Sequence, residues 1–255
     1  MSLQILKTAQ HKRFAFDLAE KWLPLSCSFH GSLTLDLAGN SNFVRHDFFA
    51  YPWPDPQCLV AFRSADHTAT VTASLATQPT VTDELFLSFW SALESCGLFK
   101  RAASTVFDPM NIRFGELLLR EKKCELLDEL LHYYVPKTKH DELMKLDLRA
   151  VDGYFLDSLQ RSDADTVESG WQQSGHTQKE VEYEANKIEN YPTVCVRTIG
   201  SEEAVCWYTV APSGQMVNLH TLEEHRRKGL AKVAELRLAQ KKRRPHCQGY
   251  RFISH

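Results

Sequence analysis

Residues 216–231 read M-V-N-L-H-T-L-E-E-H-R-R-K-G-L-A. A strand-like segment, Met216–Thr221, runs through a short turn into a helix that opens on R-x-x-G-x-A, with Arg226, Gly229 and Ala231 at the fixed positions. Such a junction suits an anion. The first turn of a helix has unpaired N–H groups and the positive end of the helix dipole, and a pyrophosphate can sit there. The small residues Gly229 and Ala231 let phosphate oxygens reach the backbone. Arg226 and Lys228 add charge for the same anion. The six-residue pattern is weak by itself, and an ordinary strand–helix connection with a basic surface reads the same way. Its place directly after a strand favours the anion site.

The elements around this junction follow a regular order. Tyr154–Leu159 reads as a strand, and Ser162 with Asp165 reads as a capping box that starts a helix. Thr177 and Glu180 repeat that device for a helix running to about Asn190, which Pro192 breaks. Three strands follow, Thr193–Thr198, Ala204–Val210 and Met216–Thr221. Ala211-Pro212-Ser213-Gly214 joins the last two as a hairpin, and a helix runs from about Gly229 to Lys241. This order predicts an α+β sheet with a helix docked after its central strand.

The preceding half is less regular. Phe29, Leu33, Leu35 and Leu37 share one parity, which predicts a strand over Ser28–Leu37. Tyr51–Pro56 holds three prolines and reads as a rigid loop. Cys58–Phe62 and Thr68–Ala76 read as a hairpin. Thr82–Phe99, capped by Thr82, and Ile112–Tyr134 read as helices. The first 16 residues carry Lys7, Lys12 and Arg13 and no acid. They read either as a mitochondrial presequence or as a first helix with Leu3, Leu6, Phe14 and Leu23 facing a core. A polar stretch at Pro136–Asp141 and the change of pattern place a domain boundary near Leu143–Asp152, dividing the chain into 1–145 and 146–255.

The arrangement resembles the acyl-CoA-binding motif of the GNAT superfamily. More narrowly, Cys206, Trp207, Gly214, Thr221, Leu222, Glu224, Arg226 and Gly229 fit the spacing of the glycine N-acyltransferase family, as do Trp171, placed in the first helix of the domain, and Y-P-T-V-C-V at Tyr191–Val196. The likeness covers about residues 150–241. It implies a C-terminal GNAT-like mixed, mainly antiparallel sheet with flanking helices behind an N-terminal α/β domain. It also implies acyl transfer from CoA to a small amine such as glycine, by direct attack and without a metal. The pyrophosphate would dock on the backbone from Arg227 through Lys228, Gly229, Leu230 and Ala231 to Lys232. The pantetheine would lie along Met216–Thr221, reaching Thr221, and the Leu219 N–H would polarise the thioester carbonyl. The family's candidate base after the turn glycine is a glutamate; here Gln215 stands there and cannot take a proton near neutral pH. His220 is the replacement, or else a satisfied surface or core histidine. Family members continue with further strands, whereas only Gly249–Ser254 could add one here. That leaves an exposed sheet edge open to self-association. A CoA-binding or interaction protein of the same fold, weak or idle in catalysis, is the alternative.

Composition excludes several other classes. A formal net charge of −2 gives no bulk attraction to nucleic acid. The basic run Lys241-Lys242-Arg243-Arg244 reads as a solvated helix end or as charge near CoA phosphates, with a nucleic-acid patch as the other reading. Seven scattered cysteines without a C-x-x-C predict free thiols in a reducing, intracellular compartment and no structural zinc. The family resemblance points to the mitochondrion, with the cytoplasm as the alternative. No apolar run reaches the roughly 18–20 residues of a membrane span.

Overall fold

The computed structural model describes residues 2–39, 43–65, 71–97, 106–107, 112–123, 134–171 and 175–243. The strand expected at Gly249–Ser254, residues 124–133 of the helix expected over 112–134, and Arg244 lie outside these. Two compact units divide the chain, 1–134 and 135–255.

The first unit is a five-stranded sheet with helices on both faces. Its elements are β1 (Ser2–Ile5), α1 (Ala9–Lys21), α2 (Cys27–Leu37), β2 (Val44–Trp53), β3 (Cys58–Ala65), β4 (Val71–Thr77), α3 (Asp83–Ser95), β5 (Val106–Phe107) and α4 (Ile112–Arg120). The strand order is β1-β2-β3-β4-β5, antiparallel except for the parallel pair β4–β5. Phe48, Ala50, Leu59 and Ala61 meet α1 and α2 on one face. Phe49, Tyr51, Val60 and Phe62 meet α3 and α4 on the other. Burial on both faces explains the unbroken apolar run at 58–62.

Four expectations change here. Ser28–Leu37 is helix, not strand. Phe29 and Leu33, four apart, satisfy both periods, but Ser28 and Ser32 are buried with them, and Thr34 Oγ1 donates back to the His30 carbonyl, 2.7 Å. The first segment is β1 followed by α1, with Ala15, Phe16 and Ala19 turned inward, while Phe14 is 44% exposed. The expected loop at Tyr51–Pro56 begins as strand. Ser2 faces Trp53 and Gln4 faces Ala50, so a bulge falls at Tyr51–Pro52, a place where proline is tolerated. The helix from Ile112 stops at Arg120. Lys122 takes φ 53°, and the N–H groups of Lys122 and Lys123 return to the Leu119 and Leu118 carbonyls, a Schellman ending.

The second unit contains α5 (His140–Lys145), β6 (Tyr154–Asp157), α6 (Ala164–Ser169), α7 (Gln178–Asn190), β7 (Val194–Thr198), β8 (Ala204–Val210), β9 (Met216–Thr221) and α8 (Leu230–Arg243). The sheet is antiparallel throughout, in the order β6-β7-β8-β9. The molecule is thus α+β. Cys195, Ala204 and Trp207 meet α6 and α7 on one face. The side chains of Leu230, Ala234 and Leu238 in α8 are buried, and α8 packs along β7, β8 and β9.

The boundary falls before α5 rather than at 143–152. The reason is specific: Gln240 Nε2 donates to the carbonyls of Leu143 and Leu146, both 2.9 Å, and Arg237 donates to that of Leu148, binding this strap to α8. Two capping details also differ. The helix after β6 is opened by a 3-10 turn whose capping box is Gln160 with Asp163, not Ser162 with Asp165. Trp171 follows α6 instead of lying within it. Thr177 and Glu180 form the expected box for α7. Among the described residues β9 is an outer strand of the sheet, where an interior position was expected.

Candidate functional site

The junction from β9 to α8 is built by two departures from regular backbone. The first lies within β9. Trp207 faces His220 and Thr209 faces Val217, so Asn218 and Leu219 stand opposite Tyr208 alone. Asn218 takes φ 57°, a left-handed conformation that asparagine adopts more readily than most residues. Such a bulge takes a residue out of the ladder and re-aims the side chains beyond it. Leu219, 40% exposed, sits in it.

The second departure is the turn. After a short 3-10 segment, Glu223–His225, Arg227 has φ 61° and Gly229 φ 83°. Only glycine takes the latter freely. A Cβ at Gly229 would meet nothing within 4 Å, so its backbone borders open space and the glycine is required by conformation, not by crowding. α8 then starts at Leu230 with no acid in its first turn. The Val233 N–H returns to Gly229, 3.4 Å, and the N–H groups of Leu230, Ala231 and Lys232 head the helix.

The basic side chains divide into two sets. Arg226 Nε donates to the Thr221 carbonyl, 3.0 Å, which ties the turn to the end of β9. Lys228 Nζ donates to the Tyr154 hydroxyl, 2.9 Å. Arg227 and Lys232 are exposed and make no ion pair among the described residues. Lys242 donates to the Gly214 carbonyl, so the far end of α8 is tied to the β8–β9 hairpin.

The two candidate bases lie at opposite ends of β9. With about 3.3 Å per residue, Gln215 and His220 are on the order of 15 Å apart, so they cannot serve one reacting atom together. Gln215 Oε1 accepts from Ser213 Oγ, 2.9 Å. His220 adjoins the bulge. Its ring lies on that of Trp207, centroids 4.8 Å apart and planes 20° from parallel. Burial first, and then the Arg226 charge, lower its pKa, so the imidazole is neutral near pH 7. Thr221 Oγ1 bonds Cys206 Sγ, 3.2 Å, and burial raises the Cys206 pKa, which makes that thiol a poor nucleophile.

Sequence reasoning did not single out Asn218, Tyr154, His225 or Gly170. An asparagine inside an apolar strand pattern was the available signal for the bulge. The contact of Tyr154 with residues 71 and 74 positions away leaves no trace in local pattern.

A groove of about 270 Å³ lies beside Leu156, Arg237 and Lys241. Its cations are already engaged, Lys241 by Ser158 and Thr193 and Arg237 by Leu148, so the β9–α8 junction is the better candidate. Among the described residues no three His, Cys, Asp or Glu side chains are placed to hold a metal. No described helix is long and apolar enough to cross a membrane.

No protein-family model matches the chain. A solved structure of a Drosophila protein superposes on 94% of this chain and 84% of its own, with a TM-score of 0.64 at 14% identity, a likeness of fold alone. A tandem GNAT protein from the clavulanic acid biosynthesis pathway covers 94% of this chain and 85% of its own, at 11% identity and a TM-score of 0.49, a likeness too slight to carry an argument.

Proposed function

We propose that the second unit binds acyl-CoA along β9 and at the head of α8, and transfers the acyl group to a small amine such as glycine. One observation carries the reading: the bulge at Asn218–Leu219 and the left-handed residues Arg227 and Gly229 lie on one continuous strand–turn–helix path. The head of α8 offers N–H groups to phosphates, and the bulge offers backbone for a thioester carbonyl. Arg227 and Lys232 supply charge near those phosphates. The Leu219 N–H polarises the carbonyl as its oxygen gains charge.

The amine nitrogen attacks the thioester carbon, the C–S bond breaks, and CoA leaves as thiolate. His220, neutral and adjacent to Leu219, takes the amine proton. The buried Cys206 is unsuited to an acyl-enzyme, which favours direct attack. Glycine as acceptor and a mitochondrial setting rest on the sequence resemblance.

The second reading, CoA binding with little turnover, is favoured by Gln215, an amide where a carboxylate base was expected. Incubation of the full chain with acetyl-CoA or benzoyl-CoA and glycine separates the two. The transferase reading expects N-acylglycine and free CoA thiol in equal amounts, lost in His220→Gln. Tight CoA binding with no product, restored by Gln215→Glu, would favour the second reading and place the base at the other end of β9.

A further inference from the structure

Tyr154 stands on β6, at the other edge of the described sheet from β9. Its hydroxyl nevertheless meets two residues of the turn that follows β9. Lys228 Nζ lies 2.9 Å from the phenol oxygen, and the same oxygen lies 2.9 Å from His225 Nδ1. An ammonium can only donate, so the phenol accepts from Lys228, while in the second bond either the phenol or His225 Nδ1 can be the donor. His225 also meets the Tyr154 ring edge-on, with centroids 5.7 Å apart and planes at 84°.

The charge balance of this cluster is unusual. A lysine ordered at a protein surface loses side-chain entropy, commonly against a carboxylate. Lys228 makes no ion pair among the described residues, and its ordered partner is a neutral phenol. Its positive charge stays uncompensated one residue before Gly229, beside the N–H groups that head α8. Glu223 and Glu224, the acids of the same turn, are exposed and make no ion pair there. The arrangement holds a cation in place and leaves its charge for something else.

We propose that Tyr154 is a positioning residue that fixes Lys228 for the phosphate end of the ligand. This rests on the acyl-CoA reading above and adds a specific dependence to it: phosphate affinity is set by a hydroxyl that itself touches no phosphate.

Calorimetry on the full-length chain tests it with three probes: CoA, ADP, which carries the pyrophosphate without the arm, and acetyl-pantetheine, which carries the arm without phosphate. Hydrogen bonds to charged groups carry enough energy that Tyr154→Phe should weaken CoA and ADP about 10-fold and leave acetyl-pantetheine unchanged. Lys228→Met should weaken the same two probes, and Tyr154→Phe with Lys228→Met should bind no worse than Lys228→Met alone. A parent that binds CoA while Tyr154→Phe keeps the same affinity would overturn this inference and spare the acyl-CoA reading. Equal weakening of all three probes, or additive effects of the two substitutions, would reduce Tyr154 to a structural staple. A parent without CoA affinity would overturn both.

Discussion

The His220 imidazole lies on the Trp207 indole with 20° between their planes, and Gly170, at the end of α6, closes over both. A Cβ at Gly170 would lie 2.6 Å from Trp207 Cζ2 and 3.5 Å from His220 Cδ2. The stack thus fixes a candidate base, and the missing side chain at 170 makes room for it.

That packing predicts opposite outcomes for one substitution at two sites. Gly170→Ala should destabilise the protein by roughly 1–3 kcal/mol, because an overpacked core must shift. Gly115→Ala lies within α4, where a Cβ meets nothing within 4 Å, and should stabilise by about 0.5–1 kcal/mol through helix propensity. Thermal melts of the two variants check this. A Gly170→Ala protein as stable as the parent would mean that Trp207 is free to move.

The role given to His220 predicts a pH profile. Burial and Arg226 lower its pKa, so the base form persists below the ordinary histidine range. The rate of acyl transfer should therefore hold as pH falls through about 6.5 and decline only below that value. His220→Gln should lower turnover by about 10²–10⁴-fold with little change in CoA affinity. A rate that falls already above pH 7 would point to another base.

A second histidine should control stability. His46 sits on β2 with both ring nitrogens buried and unpaired, stacked on Phe48 at 5.6 Å. Burial, then Arg63 and Lys12, lower its pKa from 6.5 to about 3. The unfolded chain binds a proton there between these values and the folded chain does not. The stabilising effect is thus complete above pH 6.5 and is lost as pH falls, on the order of 1 kcal/mol per pH unit. Melting temperatures from pH 7 to pH 5 should fall more steeply for the parent than for His46→Gln. Parallel curves would show that His46 titrates normally.

Most of the second unit could be read from sequence because its signals are local. The box at Thr177–Glu180, the break at Pro192 and the turn at 211–214 each act within a few residues. β8 and β9 therefore fall where the pattern puts them. The first unit was harder. Phe29 and Leu33 fit strand and helix alike, and only burial of Ser28 and Ser32 on the packed side separates the two. Gly229 stood out in the sequence as a place where a phosphate could reach the backbone, and its φ of 83° adds a conformational reason that local pattern does not show. The bulge at Asn218 and the Tyr154–Lys228 contact were not legible, since register and long-range pairing are set by tertiary packing.

The central claim is that the turn ahead of α8 holds the phosphates of CoA. Gly229→Asp tests it most directly, because it strains a φ of 83° and places a carboxylate beside the helix N–H groups. Calorimetry with CoA should show binding to the parent and none to this variant, in a protein that still melts cooperatively. Equal CoA affinity in both would contradict the account.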